Sequence, residues 1–376
     1  MTIIRKLKYV SVILLMFCFT VTASAENRDF FQEQMETTGA NDLFDNLTDE
    51  QKEMLEELGI TKLTPEAFLS VSPRKVFDLF YRILMNEYKS PLSYTVTVSV
   101  MIVAVSVVTQ FMSHGDKISR MISVFSLICI SLCMIVPLGE CLSRVISAIR
   151  LSADFMLMLI PVLATALTVS GNPATALTYN SLCFGAAQIV VAFSADFIRP
   201  LIQTTLSFSI MGGLSDLVNF EKIIQFVKRF TVFLMSFTST VFITMLSIKG
   251  MLSASADTVA VRGVRFMIGN LIPVVGGAVS DAYTSISGTL LLVKNTVAVL
   301  GIAVVALLNV PVMVECICWV FSFACISTVS EMFSQNKTAS FIRAVSSCVV
   351  MMTVMLLFVV IVFILSVGLV MLMKGG

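Results

Sequence analysis

The sequence predicts an all-α membrane protein, in which a polytopic helical bundle follows a cleaved signal peptide and a small helical extracytoplasmic domain. The chain is 57% hydrophobic and 13% charged, whereas an average soluble domain is roughly 25% charged. From about residue 92 onward, apolar segments long enough to cross a bilayer follow one another with short polar interruptions. Residues 26–91, which precede these segments, hold fourteen of the 24 acidic residues.

Residues 1–25 have the pattern of a secretory signal peptide. Arg5, Lys6 and Lys8 precede a short apolar run, and the run ends at Ala23-Ser24-Ala25, a sequence typical of a cleavage site. We therefore expect cleavage after Ala25. The alternative is an uncleaved first membrane span, which the shortness of the apolar run disfavours.

Residues 26–91 are predicted to form a small acidic helical domain outside the cytoplasm. Thr48-Asp49-Glu50-Gln51 has the form of a capping box that opens a helix, and Gly59 is expected to end it. Ser72-Pro73 opens a longer helix, and the domain is expected to end at Pro91. Its expected apolar face holds Val76, Phe77, Phe80, Ile83 and Leu84. So small a core predicts docking on the membrane part or on a partner, and a solvated acidic linker is the alternative.

Residues 92–153 are expected to contain the first transmembrane pair and an interfacial segment. Apolar spans are predicted at about 92–112 and 118–138. Residues 139–153 carry charged side chains at helical spacing and are predicted to lie along the membrane surface. In total we expect roughly seven to ten spans, since each needs about 20 apolar residues.

The rest of the chain suggests an internal duplication, with one repeat at 154–250 and the other at 251–376. Leu159-Ile160-Pro161-Val162 recurs as Leu271-Ile272-Pro273-Val274, at an offset of 112 residues. In both halves a segment interrupted by glycine and proline precedes a long apolar span. A proline is then expected at a helix start in each half, Pro200 and Pro311. Chance similarity between two apolar sequences is the alternative.

The paired interruptions predict a site near the middle of the membrane. Broken helices at corresponding positions of two repeats leave backbone groups that face a cavity or other parts of the protein. A carboxylate at the bilayer centre costs roughly 2.5 to 3.5 kcal/mol, so acidic residues there should face the interior; a position at headgroup level is the alternative. The predicted channel or structural site comprises Asp154, Pro161, Asn172, Pro173, Asp257, Arg262, Arg265, Asn270, Pro273, Gly276, Gly277, Asp281, Lys294 and Asn295.

No motif for catalysis or for a cofactor is found. The sequence lacks an ATP-binding glycine loop, a His-Glu-x-x-His pair and a Gly-x-Ser-x-Gly elbow. Its one histidine leaves few groups for acid–base catalysis. The cysteines lie in or beside apolar segments without the spacing of a zinc site, so we expect them to serve in packing. The sequence therefore predicts a protein that is not an enzyme and that has no metal, no cofactor and no nucleic-acid partner.

A distinctive signature lies between residues 255 and 295. It consists of Ala256-Asp257, Arg262, Arg265, the run from Asn270 to Asp281 (Asn-Leu-Ile-Pro-Val-Val-Gly-Gly-Ala-Val-Ser-Asp), and Lys294-Asn295. This pattern closely resembles the stage III sporulation protein AE family of endospore-forming Firmicutes, and the resemblance extends over the whole chain. The chain departs from the family at Arg265, where relatives tend to have lysine, and at Val299, where a small residue is expected.

The resemblance implies a function that the residues alone do not indicate. Family members resemble the polytopic membrane component of a channel-like complex that links mother cell and forespore. The implied partners are the other stage III A proteins, including an ATPase, and the forespore partner Q. The implied location is the mother-cell (outer forespore) membrane, and the implied role is late forespore development with late sigma-factor activation. A small-solute permease, acting through a cavity between the two broken segments, is the alternative function.

Overall fold

In a computed structural model of the chain, the described part is almost entirely helical. The structure describes the backbone of residues 35–36, 38, 47–61, 64, 67–68, 70–111, 117–214, 220–271 and 276–372. The predicted signal peptide lies outside these residues. Six helices within them are long and apolar enough to cross a membrane. The all-α class is therefore confirmed, with fewer candidate spans in the described ranges than the number predicted for the chain.

The helices follow one another through short connections. In chain order they are α1 (Asp49–Leu58), α2 (Pro73–Glu87), α3 (Lys89–Phe111), α4 (Lys117–Val169), α5 (Pro173–Ala192), a π-helix (Phe193–Ile198), α6 (Arg199–Leu214), α7 (Phe220–Leu271), α8 (Gly276–Met332) and α9 (Asn336–Leu372). The six candidate spans are Pro73–Thr109, Val124–Val169, Pro173–Gly212, Lys222–Ala260, Leu290–Met332 and Asn336–Met371.

Helix α1 has both of its predicted ends. The Thr48 side chain accepts a hydrogen bond from the Gln51 backbone N–H at 3.4 Å, and the Gln51 side chain accepts one from the Thr48 N–H at 3.0 Å. These two bonds form a capping box, which satisfies donors that the helix leaves unpaired. Gly59 ends the helix with φ at 91°, a left-handed conformation that glycine adopts without steric cost.

Helix α2 begins at the predicted Ser72-Pro73 but buries a different face. Leu79 and Ile83 are its buried residues, whereas Val76, Phe77 and Phe80 are exposed, so the prediction was right for Ile83 and wrong for these three. The reason is tertiary, because α2 packs on α1 and α8 along the side that carries Leu79.

Helical structure continues from α2 into α3. The Leu92 N–H donates to the Tyr88 carbonyl at 3.0 Å, and Pro91 lies in the first turn of α3. An amide donor in the first turn would have no partner within its own helix, so proline is tolerated there. Pro91 therefore marks no break in the helical path.

Helix α4 runs unbroken for 53 residues and contains both Pro137 and Pro161. The predicted interfacial segment 139–153 is part of this helix, and its side chains at Cys141 and Val145 are fully buried. The segment therefore takes part in the packing of the bundle, and its position along the membrane surface stays a prediction. This part of α4 packs on α8, where Cys141 faces Cys316.

The chain breaks after α4, at Gly171 rather than at Pro161. Gly171 has φ at 87°, its N–H donates to the Thr168 carbonyl, and the Asn172 N–H donates to the Leu167 carbonyl at 2.9 Å. This pattern closes a helix with a left-handed residue. Pro173 then occupies the first turn of α5, where no intrahelical donor is needed.

Helix α8 is the centre of the bundle. It packs against α9 and α4 and also contacts α1, α2, α3 and α7. Helices α8 and α9 form a hairpin. In each of them 56% of the most apolar 18-residue stretch is buried, a larger share than in the other candidate spans. Helix α4 lies antiparallel to α8, since Cys141 faces Cys316 and Ser152 bonds to Asn309.

Neither of the two prolines predicted to start helices follows a break in the helical path. Pro200 is the second residue of α6, which follows the π-helix without a break, and Pro311 lies inside α8. The expectation for Pro311 was therefore wrong. Its helix continues because neighbouring turns and helices can satisfy the carbonyl group that a proline leaves unpaired. The internal duplication itself stays a prediction.

The close approach of α4 and α8 yields a stability prediction at Gly301. A Cβ atom built there would clash with Cδ2 of Leu159, a side chain that is fully buried. We expect Gly301→Ala to lower the free energy of unfolding in detergent by about 1 to 3 kcal/mol through overpacking. The control is Gly185→Ala, because no atom lies within 4 Å of a Cβ at Gly185.

In a helix interior alanine is preferred to glycine by up to about 1 kcal/mol, so the control variant should be as stable as the wild type or more so. Thermal unfolding of the two purified variants measures the difference. Equal unfolding temperatures for the two variants would contradict the close contact.

Candidate functional site

Three of the predicted site residues meet at the break between α4 and α5. Asp257 of α7 is 2% exposed, and its two carboxylate oxygens accept hydrogen bonds from the backbone N–H groups of Ala174 and Thr175, at 3.0 and 2.8 Å. Pro173 has no N–H, so these are the first two donors of α5. Asn172, also buried, donates from its side-chain amide to the Ser170 carbonyl at 3.2 Å.

The Asp257 carboxylate caps the N-terminus of α5. The unpaired N–H groups and the helix dipole both favour negative charge at this position. One turn away, the hydroxyls of Thr178 and Ser253 are hydrogen-bonded at 2.7 Å, so α5 and α7 share two polar contacts. This arrangement links the predicted first repeat to the predicted second one.

A second polar cluster centres on Arg144 and joins three helices. The Arg144 guanidinium donates two hydrogen bonds of 3.0 Å to the two carboxylate oxygens of Glu87. Its Nη1 also lies 2.9 Å from Oε2 of Glu315, whose side chain is only 8% exposed. The planar guanidinium can serve both carboxylates because it presents five donors in a fixed fork. We call Glu87, Arg144 and Glu315 the arginine fork.

The sequence analysis missed the arginine fork as a site. Arg144 belonged to the segment expected at the membrane surface, and neither glutamate was among the predicted residues. The sequence does hold a sign of this site. Glu315 is an isolated acidic residue inside a long apolar stretch, and a carboxylate in such a place needs a charged or polar partner.

Aromatic and thiol side chains surround the arginine fork. The Tyr94 and Trp319 rings have centroids 5.6 Å apart, and Trp319 is almost fully buried. The thiol sulfurs of Cys141 and Cys316 lie 3.8 Å apart between α4 and α8. Over the described ranges, no group of three or more metal-ligating side chains is found.

Helix α8 carries further buried polar residues. Lys294 is 1% exposed and Asn309 is fully buried. The Asn309 amide donates to the Ser152 hydroxyl and to the Val305 carbonyl, each at 2.8 Å. Asn295, next to Lys294, is half-buried, and its side-chain oxygen is enclosed by protein. Lys294 and Asn295 were predicted site residues, whereas Asn309 was not.

The remaining predicted residues do not join these clusters. Asp154 and Pro161 are exposed on α4, and Arg262 is exposed on α7; for Asp154 this exposure agrees with the alternative, a position at headgroup level. Gly276 and Gly277 open α8. Pro273, together with the side chains of Arg265, Asn270 and Asp281, lies outside the described residues. A cavity of about 220 Å³ between α4, α6 and α9 has none of the fourteen predicted residues in its lining.

Comparison with known proteins points to one family. A family model described as Stage III sporulation protein AE matches residues 60–374. A relative from Bacillus subtilis (strain 168), named Stage III sporulation protein AE, is 27% identical over 157 residues, which are 42% of this chain and 39% of the relative. The match therefore spans less than half the length of that relative. No solved structure matches the chain.

The contact between Asp257 and α5 yields a mutational prediction. Asp257→Ala removes the acceptor of two backbone N–H groups, and an unpaired buried donor costs about 1 to 3 kcal/mol. We expect the variant to lose at least about 2 kcal/mol of unfolding free energy in detergent. Asp257→Asn keeps one carbonyl acceptor and should lose less.

Asp154→Ala is the matched control, because Asp154 is an exposed aspartate on α4. It should unfold at the wild-type temperature. Equal unfolding temperatures for Asp257→Ala and Asp154→Ala would contradict the stabilising role of Asp257 at the start of α5.

Proposed function

Because the chain belongs to the stage III sporulation protein AE family, we propose that it is a multi-pass membrane subunit of a channel-like or export-like complex that joins mother cell and forespore. In this proposal the subunit is needed for late forespore development and for activation of the late sigma factor. It acts as a structural part of the complex and catalyses no reaction. Family membership supports the sporulation role. The structural role is supported by the polar residues, which contact other helices.

The main evidence for a structural role is that the polar clusters connect helices to one another. Asp257 holds the start of α5, Arg144 joins α2, α4 and α8, and Asn309 bonds across to Ser152. Buried polar groups in a membrane protein mark either a transport path or helix–helix contacts. Here their partners are other helices, which favours a scaffold.

The lengths of the helices agree with a subunit that projects beyond the bilayer. Helices α4 and α8 have 53 and 57 residues, so they would be about 80 and 85 Å long if straight. The hydrocarbon core of a bilayer is about 30 Å thick. A large part of the bundle is therefore available for contacts with other subunits.

The proposed partners and location follow from the family. The partners are the other stage III A proteins, including an ATPase on the cytoplasmic side, and the forespore partner Q. The proposed location is the mother-cell-derived outer forespore membrane. With the signal peptide cleaved, helices α1 and α2 would face the space between the two membranes, on the side of the forespore partner.

A small-solute permease is the second candidate function. The observation that favours it is the series of buried polar side chains on α8, where Lys294 and Asn309 are enclosed. Side-chain oxygens of Asn295 and Asn309 are buried without a hydrogen-bond partner in the described part of the chain. Polar groups of this kind can line a path for a solute.

Deletion of the gene tests the sporulation role. We expect smaller forespores and loss of late forespore gene expression, with vegetative growth unchanged, because the proposed complex serves only the developing spore. Cell size, a late-promoter reporter and growth rate are the measurements. A growth defect in non-sporulating cells that form normal spores would contradict the proposal.

The exposed face of α2 separates the structural function from the permease. It includes Phe77 and Phe80, which are 67% and 46% exposed. We expect the double variant Phe77→Ser, Phe80→Ser to reduce co-purification of the other sporulation membrane proteins by about tenfold, since an aromatic contact centre contributes about 1.4 kcal/mol or more to an interface.

Phe184→Ser is the control, because Phe184 is a similarly exposed phenylalanine on α5. It should leave co-purification unchanged. If the double variant assembles normally but Lys294→Met abolishes sporulation with assembly intact, the permease is the better account.

A further inference from the structure

A crevice of about 220 Å³ lies between α4, α6 and α9, and no residue of the arginine fork or of the Asp257 contact lines it. Each of these helices belongs to a candidate membrane-spanning segment. The wall is mainly apolar, and its principal side chains are Ile135, Leu138, Leu142, Ile202, Leu206 and Met352. Arg199, Gln203 and Ser143 supply its polar groups. The crevice thus combines an apolar wall with one cation.

The position of Arg199 depends on an irregular turn. The π-helix Phe193–Ile198 interrupts the helical path between α5 and α6, and Arg199 follows it directly. A π-turn adds a residue to the helical turn, so every side chain after it is rotated relative to a continuous α-helix, and such turns occur frequently at functional sites. Arg199 and Gln203 are four residues apart and therefore share a face of α6.

The charge of the crevice has one sign. No acidic residue is among its lining residues. Within the part of the chain that the structure describes, no carboxylate forms an ion pair with Arg199. A guanidinium on a membrane helix is costly without an anionic or polar partner. The crevice therefore suits a molecule with an anionic group and an apolar body.

We propose that this crevice binds an anionic phospholipid. The acyl chain lies along the apolar wall of α4 and α9, and the phosphate accepts hydrogen bonds from the Arg199 guanidinium and the Gln203 amide. Arginine suits this role because its planar fork matches phosphate oxygens in a bidentate contact. A lipid is favoured over a free aqueous anion because apolar side chains form most of the wall, and basic pockets between membrane helices bind anionic headgroups.

The full-length protein in lipid nanodiscs or mild detergent provides the test. Native mass spectrometry is used to compare retention of phosphatidylglycerol with that of phosphatidylcholine carrying the same acyl chains. We expect preferential retention of phosphatidylglycerol by the wild type, and about fivefold weaker retention by Arg199→Gln, the change for one basic residue near an anionic headgroup. Arg150→Gln, at an exposed arginine of α4 outside the crevice, should behave as the wild type.

A second variant tests the apolar part of the crevice. Gly139 lines it, and a Cβ atom there would meet no atom within 4 Å. Gly139→Leu should therefore fill the crevice while favouring the helix, and it should lose phosphatidylglycerol. Gly185→Leu, at a glycine of α5 with equally open space around its Cβ, should retain it.

Three results would overturn the proposal. These are equal retention of the two lipids by the wild type, unchanged retention of phosphatidylglycerol by Arg199→Gln, and displacement of the bound lipid by inorganic phosphate. The last would show that the crevice recognises the anion alone.

Discussion

The arginine fork is the interaction on which the arrangement of the N-terminal helices depends. It is the point where α2, α4 and α8 come together through charged groups. Glu315 is buried within an apolar helix, and an unpaired carboxylate there would carry a large desolvation cost. Arg144 offsets this cost and has donors left for Glu87. Lysine could not replace it in this geometry, because an ammonium group has no planar fork.

The same physical rule explains the other polar contacts of the bundle. In an apolar surrounding, each backbone or side-chain polar group needs a partner within the protein. After the chain breaks at Gly171, the first two backbone N–H groups of α5 donate hydrogen bonds to the carboxylate of Asp257. Where α4 crosses α8, Asn309 donates to Ser152. These contacts fix the helices relative to one another.

Local chemistry allowed some of these features to be predicted from the sequence. The capping box at Thr48, the helix end at Gly59 and the helix start at Pro73 depend on neighbouring residues, and the structure has all three. The buried face of α2 could not be predicted in this way. That face is set by packing against α1 and α8, and α2 carries apolar side chains on its exposed side as well, so periodicity alone does not identify the core.

The long-range contacts also had no local signal. Asp257 lies 83 residues from Ala174 in the sequence, and its partners are backbone N–H groups, which no side-chain pattern reveals. Pro161 and Pro311 were expected at breaks or helix starts but lie inside helices, because packing in a bundle can satisfy the groups that a proline leaves unpaired. The sequence therefore indicated the helices more reliably than their contacts.

The most direct measurement of this account is hydrogen exchange at helix α2 in the full-length protein, comparing wild type, Arg144→Gln and Arg150→Gln. If the arginine fork holds α2 on the bundle, Arg144→Gln should lose amide protection over residues 73–87 while α9 stays protected, and Arg150→Gln should match the wild type. Unchanged protection of residues 73–87 in Arg144→Gln would contradict the account.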